Sequence, residues 1–370
     1  MKKINLSRVL VENRHKRGLT QDDLAAYMGV SKTAVSKWET GTTYPDITLL
    51  PQLAAYFNIS IDELMGYEPQ LTKEQIRILY RQLSEEFSTL PLEKVLDHCR
   101  EITRKYFSCF PLLYQIGSLY VNHISFIEDR TTASNLLNEA SNLFARVKAE
   151  TDNVDLAKQA LNMEALCRLS LGKPAEVLDL LGSPDFSMTS SEPLLATAYN
   201  MLGNKKEARN ILQVGIFQHI VVLINLLSIY MGLCLENEPA FKETCKRSIM
   251  IAEAFDLNQL HPGIILPLYF TAAQGYMKLN NDEKALEMLE QYTRVATHCH
   301  YPLQLHGDSY FDQLDKWLED TLTLGNDMPR NGIMTRQSIY NCIASCKTLE
   351  PLKDYPHFQN ILQRLQALTD

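Results

Sequence analysis

Within one short stretch, Lys32, Thr33, Ser36 and Lys37 combine hydrogen-bond donors, acceptors and positive charge. If residues 32–40 are helical, Ala34, Val35 and Trp38 fall on one side and these four on the other. A helix is narrow enough to enter the major groove of DNA, where base edges present donors and acceptors and the flanking phosphates attract cations. The chemistry implied is recognition of a duplex.

The elements that must hold this helix are legible on both sides. A first helix runs from about Leu6 to Arg17 and stops at Gly18, which can take the left-handed conformation that ends a helix. Thr20 caps a second, with Asp22 and Asp23 in the first turn where the helix dipole favours negative charge. Leu24, Ala25 and Met28 give that helix an apolar face. Gly29, Val30 and Ser31 leave room only for a tight corner, and Ser31 caps the third helix. Tyr44-Pro45-Asp46 then breaks the chain. Leu49, Leu50, Leu53, Ala54 and Phe57 form the apolar face of a fourth helix, and Ser60 with Glu63 makes a capping box for a short fifth.

The series Gln21, Leu24, Ala25, Gly29, Val30, Ser31, Val35, Trp38, Glu39, Gly41, Pro45, Leu53, Ala54 and Ile61-Asp62-Glu63-Leu64 resembles the Cro/XRE-type helix-turn-helix family over about residues 4–66. The resemblance implies that Gln21 anchors a phosphate or reaches a base, and that Lys32, Thr33, Ser36 and Lys37, headed by Ser31, face the groove. It also implies that Arg14 pairs with Glu39 inside the domain.

The net charge of -8 is unevenly spread. Residues 1–66 hold eight Lys or Arg against seven Asp or Glu, and the remainder 28 against 37. An acidic body repels phosphates, so nucleic-acid contact is expected only at the amino terminus. The eight cysteines show no paired zinc spacing and read as reduced thiols, and the start carries no apolar leader, so a cytoplasmic protein without membrane attachment is expected. Residues 210–235 lack Asp, Glu, Lys and Arg, and read as a buried helix pair rather than a span. His298, Cys299, His300, His306 and Asp308 could supply metal ligands, but solvated or satisfied side chains near a helix end are expected instead. Cys342 and Cys346 read as core thiols. No glycine-rich phosphate loop, nucleophile elbow or acid-base carboxylate pair stands out, so neither catalysis, cofactor nor metal is expected.

After a linker at 67–70, helical periodicity fills residues 71–370. Three windows align, 163–178, 196–212 and 273–289, each with a large residue (Leu166, Tyr199, Tyr276), a Gly- or Asn-containing turn, and Ala nine positions on (Ala175, Ala208, Ala285). A weaker copy centres on Tyr230, with Ala240 one residue late. The pattern resembles the tetratricopeptide repeat, which implies an all-α chain: a five-helix helix-turn-helix domain over 1–66, then a tetratricopeptide-like α-solenoid. In such hairpins the positions two before and one after the packed residue line a groove. Here these are Glu164 and Cys167, Thr197 and Asn200, Ser228 and Met231, Gln274 and Met277, with Arg168 and Lys278 nearby as donors and Phe270 as adaptable apolar surface. The combined architecture is similar to the Rgg/PlcR (RRNPP) peptide-sensing regulators of Gram-positive bacteria. That similarity implies a homodimer, a double-stranded DNA operator with two half-sites, and a signalling peptide or small-molecule effector. The alternatives are a body that only dimerises or docks a partner protein and, more remotely, an enzyme carrying a DNA-binding domain.

Overall fold

A computed structural model describes residues 5–66, 71–182 and 190–369, and among them every regular element is helical. The linker expected at 67–70 lies outside the described residues. Contacts divide the chain into two compact units, residues 1–72 with 96–113 and residues 73–95 with 114–370.

The first unit opens with α1 (Leu6–Lys16), α2 (Gln21–Met28), α3 (Lys32–Glu39), α4 (Leu50–Phe57) and α5 (Ile61–Met65). Their ends are set by local chemistry. Thr20, Ser31 and Ser60 each accept a hydrogen bond from the backbone N–H three residues on, and Asp23 and Glu63 complete capping boxes. Between α2 and α3, Gly29 turns the corner at φ +67°, which side chains other than glycine adopt at a cost. Leu6, Leu10, Leu24, Val35, Leu53 and Leu64 meet in one buried core with Trp38 and Phe57.

The chain continues through α6 (Lys73–Thr89), α7 (Leu92–Lys105), α8 (Phe110–His123), α9 (Arg130–Glu150), α10 (Val154–Ser170), α11 (Pro174–Leu181), α12 (Glu192–Met201) and α13 (Lys205–Leu233). It ends with α14 (Glu238–Ala254), α15 (Leu257–Leu260), α16 (Pro262–Lys278), α17 (Asp282–His298), α18 (Leu314–Thr321), α19 (Gly332–Ala344) and α20 (Pro356–Gln366). In the second unit, antiparallel packing joins α9 to α10, α10 to α11, α12 to α13, α13 to α14 and α16 to α17. Asn153, Asn204, Asn237 and Asn281 cap the helix that follows four of these corners. The three aligned windows are therefore three helical hairpins. Their packing differs: Ala285 and Tyr276 are buried, whereas Ala175 is exposed and Leu166 and Tyr230 are 43% and 54% exposed.

Residues 210–235 correct one expectation. Residues 210–233 of this stretch belong to a single 29-residue helix, α13, rather than a buried helix pair, and Cys234 and Leu235 lie in the turn that follows it. Gly215 does not break it, because a helix-interior glycine costs only about 1 kcal/mol, and its missing side chain admits Glu192 of α12, whose Cγ would lie 3.2 Å from a Cβ there. Nor is the helix fully buried: Val222, Leu226, Ile229 and Leu233 are exposed. By length and composition α13 could cross a membrane. It packs instead along α12, α14, α16 and α18 as part of the helical body.

α6 is held by residues far along the chain. Lys73 Nζ donates to the carbonyls of Glu319 (3.1 Å) and Asp320 (2.7 Å), and Arg77 donates to those of Glu319 and Thr323, both at 2.8 Å. Cations at the carboxy-terminal turn of α18 satisfy carbonyls that the helix leaves unpaired and oppose its dipole. Farther along, Tyr80 donates to Pro329 O at 3.0 Å and Arg81 pairs with Asp327 at 2.6 Å.

α14 and α16 meet through a glycine. A Cβ at Gly275 would overlap the ring of Phe241, which packs edge-on against Tyr276. Gly275→Ala should therefore destabilise the protein by about 1–3 kcal/mol through overpacking. Gly232→Ala, at a helical position with open space around it, should be neutral or slightly stabilising. Urea unfolding of the two variants checks this, and equal destabilisation would contradict the close-packing account.

Candidate functional site

α3 is pinned from inside by Val35 and Trp38, 0% and 5% exposed, and by the Ser31 hydroxyl, which accepts from Ala34 N at 3.2 Å. The opposite side presents Lys32, Thr33 and Lys37 to solvent, with Ser36 half-buried and Ser31 exposed at the helix start. Five of the six residues assigned to duplex contact thus lie on or at the head of one polar helix face. Lys37 has no ion-pair partner among the described residues. Lys32 Nζ, by contrast, lies 2.7 Å from Asp22 across the corner, both side chains being well exposed. This pairing was not foreseen from the sequence, because it joins residues on two helices whose relative angle only the folded corner defines. A surface pair of this kind contributes at most about 1 kcal/mol, so a phosphate can displace the carboxylate.

The sixth residue, Gln21, turns inward. Its Nε2 donates to Glu39 Oε2 at 2.8 Å, joining the Arg14–Glu39 pair expected from the resemblance. Arg14 grips the carboxylate with two bonds, Nε to Oε1 at 2.6 Å and Nη2 to Oε2 at 2.9 Å, and donates from Nη1 to Leu19 O at 2.8 Å. The two side chains are only 11% and 5% exposed. Residues of α1, the α1–α2 turn, α2 and α3 are thus locked together behind the polar face of α3. Burial pushes the Glu39 carboxyl up, but hydrogen bonds from Arg14 and Gln21 and the charge of Arg14 outweigh it and hold it below the ordinary 4.5.

The seven polar residues expected in or beside an effector groove meet different environments. Glu164 is 4% exposed and paired with Lys148 at 2.7 Å, and Arg168 reaches Glu176 at 3.3 Å. Thr197 donates to Pro193 O at 2.7 Å and shares with Asn200, Lys205 and Arg209 a depression of about 450 Å³. Ser228 donates to Ile224 O, Gln274 donates to Cys346 Sγ at 3.3 Å, and Lys278 is exposed. The offsets from the large residue assumed that residue to be packed. Where Leu166 and Tyr230 face solvent, their helices are turned so that Glu164, Cys167 and Met231 go inside.

A different concavity does form in this unit. A cleft of about 570 Å³ between α6 and residues 301–336 adjoins a chamber of about 420 Å³, and Leu303, Met328 and Arg330 line both. Phe270 lies in the second chamber, away from Thr197 and Asn200. Among the described residues no group of three or more His, Cys, Asp or Glu is placed to hold a metal ion.

Glu39→Gln should cost about 3 kcal/mol at neutral pH, because Arg14 would lose the charge that compensates its burial. The stability supplied by ionised Glu39 is complete above its unfolded value near 4.5 and is lost as pH falls through the lower folded value. The gap between parent and variant should accordingly close in acid. Unfolding followed through Trp38, with Trp317 replaced by Phe, measures it, and a gap that does not change with pH would remove Glu39 from this role.

Residues 10–64 match the helix-turn-helix family model. The HTH-type transcriptional activator BcrR of Enterococcus faecalis is 41% identical over 63 residues, which are 17% of this chain and 31% of BcrR. This chain therefore aligns with under a third of that relative's length. The HTH-type transcriptional regulator ImmR of Bacillus subtilis is 28% identical over 93 residues, 25% of this chain and 73% of ImmR. Among solved structures, Bacillus thuringiensis PlcR in complex with the peptide PapR7 and DNA aligns over 79% of this chain and 94% of its own, at 15% identity and a TM-score of 0.29. Apo ComR of Streptococcus vestibularis aligns over 86% and 99%, at 12% identity and a TM-score of 0.27. The amino-terminal domain of this chain is a helix-turn-helix domain of the Cro/XRE type.

Proposed function

We propose that the chain is a sequence-specific DNA-binding transcriptional regulator, acting by binding rather than catalysis, whose helical body responds to a peptide or other small ligand. The observation that carries the DNA-binding part is the outward polar face of α3, fixed in place by Val35, Trp38 and the buried Arg14–Glu39 pair. Thr33 and Ser36 are the candidates for base edges, and Lys37 and Lys32 for phosphates. Thr33→Ala and Ser36→Ala should shift operator preference, with a loss of about 1–3 kcal/mol for a good base contact. Lys37→Ala should weaken binding to all sequences and flatten its salt dependence. Asp22→Asn should do the reverse and tighten binding a few-fold, since it frees Lys32. Fluorescence anisotropy against a selected operator and a scrambled duplex, at several salt concentrations, tests the set. Unaltered preference across the α3 variants would sink the assignment.

The body supplies a reason to expect pairing. Leu226, Ile229 and Leu233 of α13 are 60%, 68% and 78% exposed, and Leu194, Met201 and Leu202 on or beside α12 are more than 70% exposed. An exposed apolar helix face such as that of Leu226, Ile229 and Leu233 is a candidate association site, and a closed two-fold pair is the commonest assembly. A homodimer would present two α3 helices to an operator with two half-sites. The double variant Leu226→Glu, Ile229→Glu should then run as a monomer in light scattering and lose affinity for a two-half-site operator. A double variant that remains dimeric would exclude this face.

A further inference from the structure

We propose that the cleft between α6 and residues 301–336 binds an amphipathic organic anion, its carboxylate held by Arg330 and Arg336 and its apolar part lodged in the adjoining chamber. As an effector site this rests on the sensing role proposed above; as a binding site it does not.

The cleft wall is positively charged. Arg77, Arg81, Arg330 and Arg336 line it against two carboxylates, Glu85 and Asp327. The first two arginines are committed, Arg77 to Glu319 and Arg81 to Asp327. The other two have no carboxylate partner among the described residues. Arg330 spends Nε on Asn122 O at 2.6 Å and Nη1 on Ser338 Oγ at 3.2 Å, which orients the guanidinium without neutralising it. Arg336 lies against the Tyr301 ring, 5.8 Å from its centroid, and its buried Nε has no hydrogen-bond partner. Ser84 Oγ, also lining the cleft, is buried and equally unpaired.

Half-buried guanidiniums and an orphaned N–H are costly to leave unsatisfied, and a guanidinium fork matches a planar carboxylate. The first turn of α19, Gly332 and Ile333, lies in the same wall, so its dipole adds to the positive field. Beyond Arg330 no other charged side chain lines the second chamber. The second chamber is lined by Leu266, Phe270, Tyr292 and Ile339. Both volumes fall in the range of pockets that hold small organic ligands, roughly 300–1,000 Å³. One polar end and one apolar end therefore specify one charged and one hydrophobic part of the same molecule. A free small carboxylic acid and the carboxy terminus of a short apolar peptide share that chemistry.

Titration calorimetry on the full chain with 4-phenylbutyrate and its amide, and with acetyl-Leu-Leu-Phe as free acid and as amide, tests the site. At least one acid should bind, and its amide should bind more weakly by about tenfold, the size expected for losing a charge-assisted hydrogen bond. Whichever acid binds more tightly identifies the source as small acid or peptide terminus. Arg336→Met should abolish the preference for acid over amide. Arg336→Lys, which keeps the charge without the fork, should keep the fold by urea unfolding and retain part of the affinity. No heat from either acid at millimolar concentration, equal affinity for acid and amide, or undiminished acid binding by Arg336→Met would overturn the proposal. Operator affinity measured with the site saturated separates the two ideas, because an unchanged value would count against the sensing role and leave the site standing.

Discussion

The buried grip of Arg14 on Glu39 is the constraint on which the proposed recognition surface depends. A short helix such as α3 has little stability of its own, since eight residues fall well below the length at which helices persist alone. Its position is fixed by Val35 and Trp38 below and by Glu39 at its end, and Glu39 in turn is held from α1 and α2. Breaking that pair would leave a charge without compensation inside a small core. The polar face is thus the exposed side of an element whose geometry is decided on its hidden side.

Electrostatics divides the labour of the two units. The amino-terminal residues are close to neutral overall, so attraction to DNA arises from where their cations sit rather than from their number. Asp22 tempers even this by pairing with Lys32. In the proposed DNA-binding role, the acidic remainder of the chain would keep non-specific attraction low and so favour contacts that read sequence over contacts that any duplex would satisfy.

The five amino-terminal helices were legible because their start and stop signals are local. Thr20, Ser31 and Ser60 bond three residues ahead, and Gly18 and Gly29 turn where they stand. The hairpin corners at Gly172, Gly203 and Asn280 were legible for the same reason. Which face of a hairpin points inward is not local. It depends on the neighbour that covers it, and with Leu166 and Tyr230 uncovered, the groove positions counted from them were misplaced. The bond from Gln21 to Glu39 was equally invisible, since its partner lies eighteen positions away on another helix. The arginine-lined cleft left no trace in the sequence at all, because its walls come from residues 77–89 and 301–336.

The anchoring of α6 has a consequence for how the molecule comes into being. Lys73 and Arg77 find their partners between 242 and 247 positions later in the chain. At about 5–20 residues per second of synthesis, α6 waits on the order of ten seconds or more before Glu319 and Thr323 leave the ribosome. The helix-turn-helix core, whose buried residues all fall between Leu6 and Leu64, has time to form in that interval. The cleft beside α6 cannot exist until residues 301–336 have been made, so any molecule that fits it meets only copies synthesised past that point.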